Sequence, residues 1–415
     1  MSAATEPQGD KPRGPLGWWT RMPLYLRILV GLVLGIIAGV TLGPEAKTFD
    51  LPARLILRVL GALAPILILV AVVRAIMTAD IHSRLAMRMA GLLVVNTLTA
   101  ICVGLLVANL LEPGSGASLA AAGKPPSVQG DVVSQLLDNI PDSLFRPFVD
   151  NKVIGVVLIA VTFGVAARSL TGSLRRTAEE LVEVAMSLIL TVLSWVIALV
   201  PLAVFGKVAS IVGTSGFDPF VALGAFVLAV LLALAIQTGY YLTLIRFGSW
   251  VRPRLVLYGV RDALVMAFST ASSTVTMPVT YDRLRTRVGL RERSAGLGAL
   301  VGSNFNNDGT ALYEAMSALF IAQMLGIELS MGQQLMVVLT SVVASVGAAG
   351  IPEAGLVTMT LVFTAVGLPI EYIALLLTVD WFLDRCRTMV NVMGDVSVAC
   401  LLDGRVAPAA TESQT

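Results

Sequence analysis

Histidine is nearly absent. His82 is the only one in 415 residues, which leaves little raw material for a zinc site or for imidazole catalysis. Cysteine is scarce too: Cys102, Cys386 and Cys400 stand far apart in mainly apolar segments, and neither a disulfide framework nor a metal spacing emerges. No Asn-x-Ser/Thr sequon occurs, and no P-loop is present to bind ATP. The nucleophile–base pair of a serine or metal protease is missing as well, so no enzyme is expected. Charged residues make up only 13% of the chain, against about a quarter in a soluble domain. The net charge of +2 comes without a clustered basic face, which argues against nucleic acid as a partner. What is plentiful is apolar side chain, 56% of the total, and most of the chain therefore belongs in a lipid bilayer.

Six ordinary spans are expected near 24–42, 52–78, 86–111, 150–168, 180–204 and 219–245. The first is too late and too long for a cleaved signal peptide. Residues 1–21 and 404–415 read as cytoplasmic tails, the first disordered, and the Pro- and Gly-rich stretch 112–149 as a long external excursion. Basic residues set the orientation: Lys11, Arg13 and Arg21 precede the first span, Arg84 and Arg88 follow the second, Arg175 and Arg176 the fourth, and Arg252 and Arg254 the sixth. Alternate loops are thus basic, and the N-terminus is expected in the cytoplasm, in a bacterial inner membrane energised by ion gradients. The run Arg283, Arg285, Arg287, Arg291 and Arg293 is basic again, so residues 255–282 must enter and leave on one side, as a re-entrant hairpin.

The tip of that hairpin is the small polar run Phe268 to Thr274, and Ser345 to Gly355 interrupts a later apolar stretch in the same manner. Irregular backbone at membrane depth is tolerated only where it is buried in protein or lines a cavity. Two such interruptions in corresponding positions point to a transporter binding site. The separation from Ser272 to Asp308 equals that from Ile351 to Arg387, the mark of a repeat. With the spans beginning at Gly302 and ending at Asp395, the fold class is an all-α polytopic membrane protein of eight transmembrane segments plus two re-entrant hairpins with inverted repeats.

The last span carries the chemistry. At about 100° per residue, Asp380, Asp384, Arg387, Asn391 and Asp395 fall within about 80° of one another on an otherwise apolar helix. Charges at membrane depth demand partners. An internal ladder such as Asp384 with Arg387 would satisfy part of the stripe, but the excess carboxylates call for cations, and oxygen donors suit hard ones. Arg387 offers a planar fork for a carboxylate, and Asp384, one turn away, can hold an ammonium group; together they fit glutamate or aspartate. Upstream, Asn306-Asn307-Asp308-Gly309 is a helix-breaking cluster whose carbonyls and carboxylate can ligate a cation, unless it is a plain loop or cap. Glu314 follows inside the membrane, either as a proton carrier, because burial favours the neutral carboxyl, or as the fixed partner of an arginine.

At these residues the chain closely resembles the glutamate/aspartate:cation (dicarboxylate/amino acid:cation) symporter family, which includes excitatory amino-acid transporters and archaeal aspartate transporters. Residues 267–278 resemble the family's serine-rich first hairpin, Asn306 to Tyr313 its Asn-Met-Asp-Gly-Thr motif, Gly347 to Gly355 its second hairpin and Asp380 to Asp395 its final helix. The resemblance implies a homotrimer working as an elevator. Residues 22–250 would be mainly scaffold and trimerisation helices, the third and sixth spans moving with a transport core at 251–403. Ser272, Ser273, Thr310, Ile351, Pro352, Gly355, Asp384, Arg387, Thr388 and Asn391 would contact substrate, with Arg387 on its side-chain carboxylate and Asp384 on its amino group.

For sodium, the resemblance implies one site at Gly302, Asn306, Asn391 and Asp395. A second lies at Asp308, Asn306, Asn96 and Thr97, where Leu93 occupies an expected tyrosine position. A third lies near Asn304, Ser345 and Ala348, with Asn304 in place of a threonine and Asn307 in place of a methionine. No bound cofactor is implied; Na+, H+ and K+ are cargo. Glu314 matches the glutamate branch's proton acceptor. Ala271 and Arg385 reproduce that branch's arginine placement, which goes there with potassium counter-transport. The competing readings are a neutral amino-acid or C4-dicarboxylate carrier on the same fold, opposed by Arg387 and Asp384 respectively. An intramembrane aspartyl protease built on Asp282 and Asp395 is a third, and lacks the usual first glycine before Gly394; a channel is a fourth, and lacks a filter sequence. Glu353 receives no role.

Overall fold

The computed structural model describes residues 22–78, 84–117, 119, 141–150, 152–347 and 354–407. The described residues are helical with no strand. Helix α1 (Leu24–Leu42) passes through a 3-10 turn, Gly43–Phe49, into α2 (Asp50–Thr78). Then come α3 (Arg84–Leu111), a short α4 (Arg146–Val149) and α5 (Val153–Arg168). These reproduce four of the expected spans to within a few residues.

The fifth span needs correction. In place of one helix over 180–204 there are two, α6 (Gly172–Ile197) and α7 (Val200–Ser215). Pro201 sits in the first turn of α7, where its missing N–H is tolerated, and a continuous helix would have placed it in the interior. Helix α8 (Asp218–Gly248) follows. Three of these helices, Arg84–Leu111, Gly172–Ile197 and Asp218–Gly248, are each long and apolar enough to cross a membrane, as is the stretch Leu26–Arg74.

Helices α9 (Pro253–Thr270) and α10 (Ser273–Arg283) form the first hairpin. Its tip turns at Ala271, whose φ of 51° is left-handed, and at Ser272, whose hydroxyl caps α10 by accepting from Val275 N at 3.3 Å. After α11 (Glu292–Ala295), π and 3-10 turns carry the chain to Asn304, and helix resumes as α12 (Asp308–Met324). Phe305 to Asn307 are non-helical, so the expected interruption is present. Helices α13 (Met331–Gly347) and α14 (Ala354–Ala365) flank the second interruption, whose tip residues Ala348 to Glu353 lie outside the described residues. The last helix, α15 (Ile373–Asp403), runs unbroken through the polar stripe.

The burial pattern inverts that of a soluble protein. Large apolar side chains such as Val40, Leu110, Phe163, Leu188, Trp195 and Leu228 are exposed, while Asp308, Glu314, Arg387 and Asp395 are buried. Small residues bring α1 onto α7: a Cβ on Gly31 would stand 2.5 Å from Pro201 O, and one on Gly35 2.8 Å from Phe205 O. Away from the stripe, Lys207 of α7 is buried against Asp50 of α2 (Nζ–Oδ1 3.2 Å) and lies 4.1 Å over the Tyr372 ring. That contact ties α2 and α7 to the 3-10 turn that starts the last helix.

Candidate functional site

Helix α15 is wrapped by α8, α9, α10, α12 and α14. Its polar stripe therefore faces protein at Asp380, Arg387, Asn391 and Asp395, as ionisable groups at membrane depth require, while Asp384 is part-exposed. Two centres form along it, about two turns apart.

The first is built on Arg387, which is 1% exposed. Its Nη2 reaches Asp384 Oδ1 at 2.9 Å and Asp380 Oδ1 at 3.0 Å, and its guanidinium stacks 4.1 Å over the Tyr313 ring of α12. The internal ladder considered from spacing is thus present, and it includes Asp380. Donor capacity is left over: Nε and Nη1 are buried without a hydrogen-bond partner among the described residues. Unmet buried donors on a cation are costly unless an acceptor joins them, and a planar pair of N–H groups matches a carboxylate. Gly355 stands against this fork, since a Cβ there would lie 3.2 Å from Nη2 and 3.3 Å from Nη1. The first turn of α12 closes another side, with Gly309 against the Arg387 backbone and Thr310 buried beside it.

Thr388 Oγ1 donates to Asp384 O at 2.8 Å within α15, and Asn391 Oδ1 accepts from Gly309 N at 2.8 Å, which ties α15 to α12 here. Ser272 and Ser273 occupy the tip of the first hairpin, which packs on α15, but no hydrogen bond joins them to Arg387 or Asp384 among the described residues. Ile351 and Pro352 lie outside the described residues.

Glu314 is fully buried one residue beyond Tyr313. Thr358 of α14 and the Arg387 guanidinium are the polar groups facing it. Arg387 is engaged by two aspartates, and no arginine pairs with Glu314 among the described residues. Arg385 points elsewhere, 5.5 Å over the Trp381 ring.

The second centre gathers acidic and amide groups with no cation. Asn306 Nδ2 donates to Asn391 O and to Asp395 Oδ1, both at 2.9 Å, while its Oδ1 is buried without a partner among the described residues. Gly302 closes on the same carboxylate, with a Cβ position 3.4 Å from Asp395 Oδ1. Gly302, Asn306, Asn391 and Asp395 are therefore brought together. Asp308 lies beside them: Thr97 Oγ1 donates to its Oδ1 at 2.6 Å, and the Tyr241 hydroxyl donates to its Oδ2. Neither Asp308 nor Asp395 meets a basic side chain among the described residues. Buried carboxylates amid hydroxyl, amide and carbonyl oxygens fit a hard monovalent or divalent cation.

The third expected set is only partly visible. Ser345 O accepts from Asn307 Nδ2 at 3.0 Å, the backbone of Asn304 lies in the 3-10 turn, and Ala348 is outside the described residues. Leu93 packs in an apolar cluster with Met89, Val398 and Leu402, offering only its carbonyl to Thr97 Oγ1 at 3.0 Å.

Sequence reasoning missed Tyr241, Gln237 and Tyr313. The signal for the first two was available: Gln237 to Tyr241 is the polar stretch in the middle of an otherwise apolar span.

The profile of the Sodium:dicarboxylate symporter family matches residues 24–405. The chain is 29% identical over 468 aligned positions to Excitatory amino acid transporter 4 of Mus musculus, covering 92% of this chain and 83% of that protein. It is 39% identical over 248 residues to the Excitatory amino acid transporter of Caenorhabditis elegans, covering 59% of this chain and 49% of the relative. To Excitatory amino acid transporter 2 of Homo sapiens it is 41% identical over 248 residues, 59% of this chain and 43% of the relative. Those two alignments span about half or less of the relatives' length.

Proposed function

The chain belongs to the sodium:dicarboxylate symporter family, and from that membership we propose that it is a secondary active transporter importing an acidic amino acid, L-glutamate or L-aspartate, with Na+. The observation that carries this reading is the spare donor capacity of Arg387, two buried guanidinium nitrogens with no hydrogen-bond partner among the described residues, set beside a carboxylate able to hold an amine. With Asp384 released from Nη2 to take the ammonium group, a side-chain carboxylate of the substrate takes the Nη1–Nη2 edge. Thr310, Thr388, Asn391 and Gly355 complete the pocket, and the tips containing Ser272, Ser273, Ile351 and Pro352 cover it. Sodium ions take the Asp395 and Asp308 centres, with Ser345 and Asn304 at a third.

Eight membrane spans and two re-entrant hairpins make up each protomer of a homotrimer, in a bacterial inner membrane with both termini in the cytoplasm. Residues 251–403, with the third and sixth spans, move as the transport core against the rest of 22–250. Support for the last point comes from the way α3 and α8 pack against α12 and α15.

The test is uptake of labelled L-aspartate and L-glutamate into liposomes under separately imposed Na+, H+ and K+ gradients. Concentrative uptake driven by Na+ is the expected result. Failure to take up either amino acid under any gradient, with succinate or alanine carried instead, would overturn the substrate assignment.

Protons are the second coupled ion in this reading, with K+ returning outward, and Glu314 is the proton's carrier. Its burial beside Arg387 with no ion pair of its own among the described residues supports that role. Glu314→Gln, isosteric and fixed neutral, is expected to abolish uptake driven by a pH gradient while sodium-driven uptake persists. The same pH dependence in wild type and variant would remove Glu314 from the proton path.

A further inference from the structure

Gln237 and Tyr241 stand one turn apart on α8 and are both fully buried. Tyr241 donates its hydroxyl to Asp308. Gln237 Nε2 donates to Asn96 O at 3.3 Å, which leaves Gln237 Oε1 and both polar atoms of the Asn96 side chain without partners among the described residues. Across the same space, Asn306 Oδ1 is unpartnered as well. The meeting point is marked by Gly394: a Cβ there would stand 2.5 Å from Asn306 Nδ2, 3.1 Å from Tyr241 Oη and 3.3 Å from Asp308 Oδ2. Three buried side-chain oxygens, on Asn96, Gln237 and Asn306, lie without donors among the described residues, an arrangement that native cores avoid unless something completes it.

We infer that α8 forms a wall of the cation site at Asp308, with the Tyr241 hydroxyl as a ligand and Gln237 serving as its proton acceptor. The inference rests on the reading of Asp308 as a sodium site. With no ion, the phenol donates to Asp308. When Na+ arrives, the still-protonated phenol turns its hydrogen to Gln237 Oε1, which frees an oxygen lone pair and both Asp308 oxygens for the ion. Thr97 approaches from α3, so the ion draws together α3, α8 and α12.

The test compares wild type with Tyr241→Phe in two assays. One is L-aspartate uptake into liposomes against external Na+, with choline as replacement. The other is the thermal unfolding midpoint of the purified protein against Na+ without amino acid. Tyr241→Phe is expected to raise the half-saturating Na+ about tenfold, the worth of one lost charge-assisted contact. The midpoint should rise less per decade of Na+ in the variant than in the wild type. Equal sodium responses in variant and wild type would overturn the inference while leaving the cation site standing. A wild type indifferent to Na+ in both assays would overturn the site and the inference together. If Tyr241→Phe does not fold, Gln237→Leu, which spares the Tyr241–Asp308 bond, is read against the same expectations.

Discussion

Arg387→Ala is expected to abolish uptake of L-aspartate and L-glutamate, with apparent affinity falling at least about a hundredfold. A hydrogen bond to a charged group contributes roughly 1.5–3 kcal/mol, and a substrate carboxylate on the Nη1–Nη2 edge makes two, so their joint loss corresponds to a factor of about 100 or more. A second effect adds to this. Arg387 also neutralises Asp380 and Asp384, at 3.0 and 2.9 Å, and removing one partner of a buried pair leaves uncompensated charge, at about 3–5 kcal/mol. The alanine variant should therefore be less stable as well as inactive. Arg387→Lys separates the two. An ammonium preserves the charge beside both aspartates, so the protein should keep its thermal midpoint, but a point donor cannot span a carboxylate as the planar fork does. Uptake of acidic substrates should still fall at least about tenfold. Acidic uptake unchanged in a folded Arg387→Lys or Arg387→Ala protein would dismiss the residue as the receptor. Uptake of serine or alanine gained in Arg387→Ala would, in contrast, place the specificity at this one side chain.

How much of this arrangement was legible beforehand depends on the range of the interaction. The stripe on α15 follows from helix periodicity within one element, and the structure keeps it on one helix, Ile373–Asp403. The two helix interruptions announce themselves through Ser272, Gly302 and Asn306-Asn307-Asp308-Gly309, residues that favour caps and turns for local reasons. The break between α6 and α7 was within reach, because Pro201 inside a continuous helix would lose a hydrogen bond and clash with the carbonyl of Ile197, but uniform hydropathy on both sides hid it. Partnerships across helices were not legible. Counting carboxylates against arginines on α15 suggested a surplus along the whole stripe. The structure instead concentrates it: Asp380 and Asp384 share Arg387, while among the described residues Asp395 meets the Asn306 amide and Asp308 the hydroxyls of Thr97 and Tyr241. Tyr241 escaped for the same reason. Its partner is sixty-seven positions away in sequence, and nothing in the period of α8 says which of its faces meets α12.

Gly394→Ala is the sharpest test of that concentration, because it adds one methyl group where the second centre converges. The new carbon would stand 2.5 Å from Asn306 Nδ2, closer than any relaxed contact, and 3.1 and 3.3 Å from Tyr241 Oη and Asp308 Oδ2. Asn306 cannot simply swing aside, since that nitrogen already bonds Asn391 O and Asp395 Oδ1 at 2.9 Å. Relief requires breaking one of those bonds or moving α12 from α15, and overpacking of this kind costs about 1–3 kcal/mol. Helix propensity pulls the other way, since alanine is favoured over glycine by about 1 kcal/mol inside a helix. Overall stability should therefore change little, whereas the geometry of the oxygens around Asp308 and Asp395 changes directly. The expected result is a protein with a near-normal thermal midpoint in the absence of sodium, a midpoint that no longer rises with Na+, and sodium-driven uptake reduced at least about tenfold. A Gly394→Ala protein that binds Na+ and transports as wild type does would mean that the ions sit elsewhere along α15.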